Sequence, residues 1–428
     1  MKTLLDIVAR HKRGEQAGVY SLCSAHPRVI ESAMREARAC NAPLLVEATS
    51  NQVNQFGGYT GMTPADFRRF VFDIANRVGF REERLWLGGD HLGPNAWQKE
   101  PADVALAKSA EMIRQYVVAG FRKIHLDCSM ACVGDPEPLP EALIARRAAR
   151  LCAVAENAWH EAGGEPPVYV IGTEVPVPGG ATEDLGELQV TSPDAARATI
   201  RAHQDAFAEH GLEAAWSRVI ALVVQPGVEF DHHKVIDYRP TKAEALSAFI
   251  ARDSQFIFEA HSTDYQTATN LQALVRDHFA ILKVGPGATY ALRETLWALA
   301  AIAHELPGAA GEEDLRSVAI EVMRNDPRHW RNYYHDAARE SLDLQFSLSD
   351  RIRYYWPHPR VKQAYEALLD RLRNVSLPLT LLSQFMPQQY EAVRAGRLSA
   401  HVDELLNEGI AAALRPYMRA CGVPGSQE

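Results

Sequence analysis

The chain has 428 residues, 47% of them apolar and 23% charged, with a formal net charge of -9. This is the mix of a soluble globular protein with one large domain and an appendage, or two ordinary domains, and the charge leaves no global basic footprint for nucleic acid. Six cysteines form neither a redox pair nor a zinc cluster, which points to reduced thiols and a cytoplasmic setting, and no apolar run is long enough for a membrane span.

The opening segment, "MKTLLDIVARHKRGE", reads as a short amphipathic helix rather than a signal peptide. Eight short runs rich in Val, Ile and Leu follow, each ending in a polar or glycine-rich cluster. They are "GVYSLCSAHP" (18–27), "PLLVEATSNQ" (43–52), "LWLGGDHLGP" (85–94), "KIHLDCSM" (123–130), "VYVIGTEVP" (168–176), "VIALVVQPG" (219–227), "FIFEAHSTD" (256–264) and "AILKVGPGA" (280–288). Segments such as "TPADFRRFVFDIANRVG" and "EALIARRAARLCAVAENAWHEAG" lie between them with helical periodicity. Near-continuous apolar runs suit parallel strands buried on both faces, and long helical crossovers suit parallel connections. Eight such units predict an α/β protein, a (β/α)8 TIM barrel over residues 1–304. An open doubly wound sheet is the alternative. The count of eight and the polar ending of every strand favour the barrel.

Residues 305–428 change to helices and irregular connections, which predicts a helical C-terminal extension packed on the barrel. Its "RIRYYWPHPRV" segment reads first as aromatic surface buried in that packing. A docking surface is the other use, and a homo-oligomer is expected.

Barrel active sites sit at the C-terminal strand ends. His91, Glu174, Gln225 and His261 end strands three, five, six and seven and could together hold one divalent ion. Imidazole suits zinc and oxygen donors also suit manganese or magnesium, so the metal stays open. Asp90 and Asp127 are candidates for proton transfer beside such an ion. On a regular strand Asp90 would face away from His91, and a turn at Gly93-Pro94 would be needed to bring both in. The other polar residues near strand ends, Ser24, His26, Glu47, Asn51, Asn95, Ser262 and Asp264, are candidates to bind substrate. "DHHK" (231–234) reads as a surface loop. Lys283 and Glu259 read as an ion pair inside the barrel, with a Schiff-base lysine as the alternative. "GPGATY" lacks the spacing of a dinucleotide fingerprint.

The motifs "EATSNQVNQFGGYTGMTP", "GGDHLGPN", "IGTEVPVPGG", "VVQPGVEFDH", "EAHSTDYQ" and "SLSDRIRYYWPH" resemble the D-tagatose-1,6-bisphosphate aldolase class II Z-type subunits nearly end to end. That resemblance implies a cytoplasmic barrel linked to galactitol or amino-sugar catabolism. Members are described as non-catalytic partners that stabilise a separate class II aldolase, and relatives include metal-dependent ketose 4-epimerases. A tagatose-6-phosphate kinase label is also used in the family, but no G-x-x-x-x-G-K-[ST] loop is present. The site is also similar to that of class II aldolases. There an Asp-His pair follows strand three, matched by Asp90-His91, and His261 and Glu174 match further positions. Gln225 stands where those enzymes place a histidine, and "HSTDY" replaces a glycine pair that helps hold substrate phosphate. The expectation is a metal-dependent enzyme that inverts C4 of a ketohexose or ketose phosphate (tagatose or fructose). The C3–C4 bond would break and re-form, with a hydride shift as the second route. The other class is a stabilising subunit of a tagatose-bisphosphate aldolase.

Overall fold

Eight parallel strands close into a barrel in the computed structural model, which describes residues 3–172, 188–307 and 313–424. They are β1 (Val19–Leu22), β2 (Leu44–Thr49), β3 (Leu85–Leu92), β4 (Lys123–Leu126), β5 (Val168–Ile171), β6 (Val219–Val224), β7 (Ile257–Ala260) and β8 (Ile281–Val284). Each pairs with its neighbours in sequence, and β8 closes the ring on β1 through Val19 opposite Ile281 and Leu22 opposite Val284. The predicted (β/α)8 architecture is therefore the observed one. All residues of β1, β4, β5, β6, β7 and β8 are buried, which is why these segments show no polar alternation.

The helices between the strands carry their own start and stop signals. Pro64–Val78, for example, begins on a Thr63/Asp66 capping box with proline in the first turn and ends at the left-handed Gly79. The opening helix, Leu4–Lys12, closes the bottom of the barrel. Its Leu4, Ile7 and Val8 join Val19, Leu45, Val168, Ile220, Ile257 and Ile281 in one apolar layer.

Above that layer the interior becomes ionic. Lys123 Nζ lies 2.6 Å from Glu47 Oε1 and 2.7 Å from Glu259 Oε2, and all three side chains are fully buried. Lys283 reaches the same acids, touching Glu47 and lying 3.8 Å from Glu259 Oε1. Glu47 and Lys123 flank the same residue of β3, Gly88, and a Cβ there would sit 2.6 Å from Glu47 Oε1. Glycine at 88 is what lets the two long side chains meet across a strand.

The C-terminal region is helical and folds back along the barrel. Its last helix, Val402–Ala420, lies against Pro27–Ala39, Ala268–Arg276 and Pro286–Glu305. Ser32 Oγ donates to Asn407 Oδ1 at 2.9 Å and Arg415 pairs with Glu36 at 2.8 Å across the first of these contacts. Tyr355 and Trp356 are buried, so the aromatic segment is packing surface within the chain. The 231–234 segment is a surface loop, as expected, with His233 and Lys234 exposed. It is the turn of a hairpin between Glu229–Phe230 and Val235–Ile236, and it docks on the extension through His232 Nδ1, 3.0 Å from Ser349 Oγ.

Candidate functional site

The Asp-His pair ends β3 in an irregular way. The register against β4 shifts between Gly89 and Leu92, and His91 has φ +49°, in the left-handed region that non-glycine residues seldom occupy. This twist breaks the alternation of a regular strand, so consecutive residues both turn into the barrel mouth. Strain of this kind persists where the surroundings hold it, and here they do. His91 Nδ1 lies 2.7 Å from Asp127 Oδ2. Because a carboxylate only accepts, Nδ1 carries the proton and Nε2 is left for another partner. Asp127 is itself fixed by Ser129, whose N–H and hydroxyl donate to Oδ1 at 3.0 and 2.6 Å.

Asp90 Oδ1 lies 2.9 Å from Lys283 Nζ and 3.0 Å from His125 Nδ1. Burial would raise the Asp90 carboxyl, but the charges of His91 and Lys283 and the His125 hydrogen bond outweigh it and hold the group well below its ordinary range. His261 Nε2 lies 2.9 Å from Glu259 Oε1, which leaves its Nδ1 available. Burial drives the His261 imidazole down to about 4, so it stands neutral. The rings of His91, His125 and His261 approach one another with centroids 4.9 to 5.4 Å apart.

One candidate ligand atom from each of Asp90, His91, His125 and His261 falls within 4.8 Å of the others. His125 Nε2 is buried without a hydrogen-bond partner, an orphaned polar atom that a bound ion would satisfy. The charges agree. Four carboxylates, Glu47, Asp90, Asp127 and Glu259, gather around two ammonium groups, Lys123 and Lys283, and the His91 imidazole that pairs with Asp127, which leaves the cluster with surplus negative charge. The donor set of imidazole and carboxylate, the unpartnered nitrogen and the surplus charge all fit a divalent cation.

A cavity of about 100 Å³ opens over the cluster. Asp90, His91, His261, Asn51, Ser262 and Asp264 line it, joined by Cys23, Tyr59 and Lys283 and by Arg353 and Tyr354 from the extension. A second lobe of about 340 Å³ adjoins it, sharing Cys23, Gln52, Tyr59 and Arg353, and contains Ser24 and His26. His26 is committed locally: it caps Pro27–Ala39 by accepting Arg28 N–H at 3.3 Å.

The other candidates fall elsewhere. Glu47 sits in the ionic layer beneath the cavity, and Asp127 stands behind His91. Asn95 is buried in the turn after β3, its Nδ2 without a partner. Gln225 follows β6, and its Oε1 accepts Gly227 and Val228 N–H at 2.8 and 3.0 Å. Glu174 lies outside the described residues. The expected Lys283–Glu259 approach is present at 3.8 Å, but Asp90 is the nearer acid.

Sequence reasoning passed over His125, Tyr59 and the extension's Arg353 and Tyr354. His125 stands inside the apolar run "KIHLD", where it reads as a core residue. Its signal is position: it is two residues before Asp127, and so shares a face with it on a strand of period two.

A closed (β/α)8 barrel with a buried His/Asp cluster at the catalytic end of its strands is the framework of a TIM-barrel protein with a candidate metal centre. A family model described as "D-tagatose-1,6-bisphosphate aldolase subunit GatZ/KbaZ-like" matches residues 4–422, and the chain belongs to that family. Among solved structures, a probable tagatose 6 phosphate kinase from Sinorhizobium meliloti 1021 is 51% identical, with a TM-score of 0.88 over 94% of this chain and 100% of that one. The YdjI aldolase from Escherichia coli K12 is 10% identical, with a TM-score of 0.42 over 86% of this chain and 95% of that one. A fructose-bisphosphate aldolase from Campylobacter jejuni is 11% identical, with a TM-score of 0.43 over 85% and 90% of the respective chains. Likenesses as distant as these last two carry no functional meaning.

Proposed function

We propose that this protein is a metal-dependent ketose 4-epimerase that breaks and re-forms the C3–C4 bond of an open-chain ketohexose. The observation that supports it most is a solvent-reachable cavity floored by Asp90, His91 and His261, with the unpartnered His125 Nε2 in the same cluster. His91 through Nε2, His125 through Nε2 and His261 through Nδ1 would hold the ion, with Glu174 as a further oxygen donor. A divalent cation bound there would act as a Lewis acid on the oxygens of the substrate.

The chain's own groups supply the rest. Asp127 orients His91 by fixing its tautomer. Asp90 is held ionised at the cavity surface, so it can accept the C4 hydroxyl proton and return it after the bond re-forms. Lys283, protonated and 2.9 Å from Asp90 Oδ1, keeps that carboxylate in place. Arg353 and Tyr354 wall the cavity from the extension, restricting water around the cleaved fragments. Asn51 and Ser262 offer polar groups for sugar hydroxyls.

The second reading is a subunit that stabilises a separate tagatose-bisphosphate aldolase, and the family description favours it. A stabilising surface needs no ionised acid beside an unpartnered imidazole, and this argues for catalysis. Phosphoryl transfer from a nucleotide lacks its glycine-rich phosphate loop in this sequence. The test is the purified protein, supplied with zinc, manganese or magnesium, incubated with fructose, tagatose and their phosphates and followed by product analysis. Conversion between C4 epimers supports the proposal. No conversion of any ketose, together with a lengthened lifetime of a partner aldolase, assigns the second reading.

A further inference from the structure

In (β/α)8 barrels the loops after the seventh and eighth strands, with a helix N-terminus beside them, often form a phosphate site. Backbone N–H groups and the positive end of the helix dipole converge there. This chain has those parts. β8 leads into Gly285-Pro286-Gly287, and the 20-residue helix Pro286–Glu305 begins on it. A Cβ on Gly287 would lie 3.0 Å from the nearest anionic oxygen, so glycine is what allows the close approach. That oxygen belongs to the protein. Asp264 Oδ1 accepts Gly285 N–H at 2.9 Å and Gly287 N–H at 2.7 Å. Asp264 is 3% exposed, yet it borders the same cavity as Asp90, His91 and His261.

Several neighbouring donors are engaged as well. Thr289 Oγ1 donates to Asp350 Oδ2 at 2.6 Å, and Arg293 Nε lies 3.3 Å from Asp350 Oδ1. The Arg353 guanidinium, shared by both lobes of the cleft, donates to the Ser349 and Asp350 carbonyls and to the Tyr354 hydroxyl. The two backbone amides, the Thr289 hydroxyl and the Arg353 guanidinium are thus already engaged by carboxylates, carbonyls or a phenol, while Arg293, whose Nη2 has no partner, is itself buried.

We propose that Asp264 is a specificity-determining residue that restricts the cleft to unphosphorylated ketoses, by holding its own carboxylate where a sugar phosphate would bind. The proposal rests on the ketose reading above and narrows it. An incoming phosphate would lose the two amides to Asp264 and meet the like charge of a carboxylate that is itself buried from screening solvent. A neutral ketose meets no such barrier, since hydroxyls both donate and accept.

Calorimetry and thermal unfolding of the full chain with fructose, fructose 6-phosphate and inorganic phosphate test this, alongside the Asp264→Gly variant. In the parent protein the 6-phosphate should bind no tighter than the free ketose, and inorganic phosphate should leave Tm unchanged. Asp264→Gly frees the two amides. Inorganic phosphate should then raise Tm, and the 6-phosphate should gain about tenfold in affinity over the free ketose. Asp264→Ser takes its place if the glycine variant does not fold. A parent that binds the 6-phosphate about tenfold tighter than the free ketose overturns the proposal, as does a folded variant with no gain in phosphate binding. These readouts need no turnover. An absence of epimerisation with the phosphate contrast intact removes the proposed reaction while leaving this role of Asp264 in place.

Discussion

Replacing Asp90 by asparagine separates a catalytic site from an unused pocket. The amide keeps the size of the carboxylate and an oxygen that can accept from Lys283 and His125, now 2.9 and 3.0 Å away. What it loses is the negative charge. Lys283 keeps the Glu47 carboxylate in contact and Glu259 at 3.8 Å, so its ammonium is not stranded. The stability change should therefore be that of weakened charge-assisted hydrogen bonds, about 1–3 kcal/mol. His91 and His261 do not use Asp90 for their nearest hydrogen bonds, and metal content should be retained. Turnover should fall by about two to four orders of magnitude, the usual contribution of a positioned proton-transfer group, equivalent to roughly 3–5 kcal/mol in the barrier. The assay is the rate of C4-epimer formation by chromatography, with metal content measured on the same preparation. An Asp90→Asn protein that is folded, metal-loaded and within a few-fold of the parent rate would refute the role given to Asp90.

His125→Ala should lower metal stoichiometry measured by elemental analysis by about tenfold or more at limiting metal, because it removes an imidazole from the cluster; unchanged stoichiometry would place the ligands elsewhere. Lys123→Met should strip Glu47 Oε1 and Glu259 Oε2 of their nearest cation. Breaking one side of a buried ion pair costs about 3–5 kcal/mol. At about 2.1 cal/mol/K per residue for 428 residues, that is a Tm loss of roughly 3–6 °C by calorimetry. A Tm within one degree of the parent would count against the ionic layer. Burial lifts the Glu229 carboxyl to about 7, above an ordinary value of 4.5. The folded state then keeps a proton that the unfolded chain releases, so parent stability should decline as pH rises from about 4.5 to about 7, by roughly 3 kcal/mol. Glu229→Gln should flatten that decline in denaturant titrations at several pH values, and an unaltered slope would rule the group out as its source.

The sequence by itself determined the barrel. Strands buried on both faces must be apolar throughout, so eight continuous Val, Ile and Leu runs separated by amphipathic helices leave little freedom of architecture. It also marked Asp90, His91, His261 and Asp264, because polar groups where an apolar run stops stand out along the chain. Tertiary structure decided what the pattern could not carry. The left-handed turn at His91, which points both members of the Asp-His pair inward, depends on the register shift against β4. His125 became a candidate ligand only when barrel closure brought its ring within 5.0 Å of His91 and 5.4 Å of His261. Asp127 took its place behind His91, and the carbonyl of Gln225 turned to backbone amides, through contacts that spacing does not record. Arg353 and Tyr354 entered the cleft because the extension folds back over the barrel mouth, where Asp350 meets Thr289 and Arg293. Periodicity is a local property and reports which face of an element is apolar. The convergence of side chains from distant strands depends on closure of the ring and on where the extension docks, and these are settled by packing across the whole molecule.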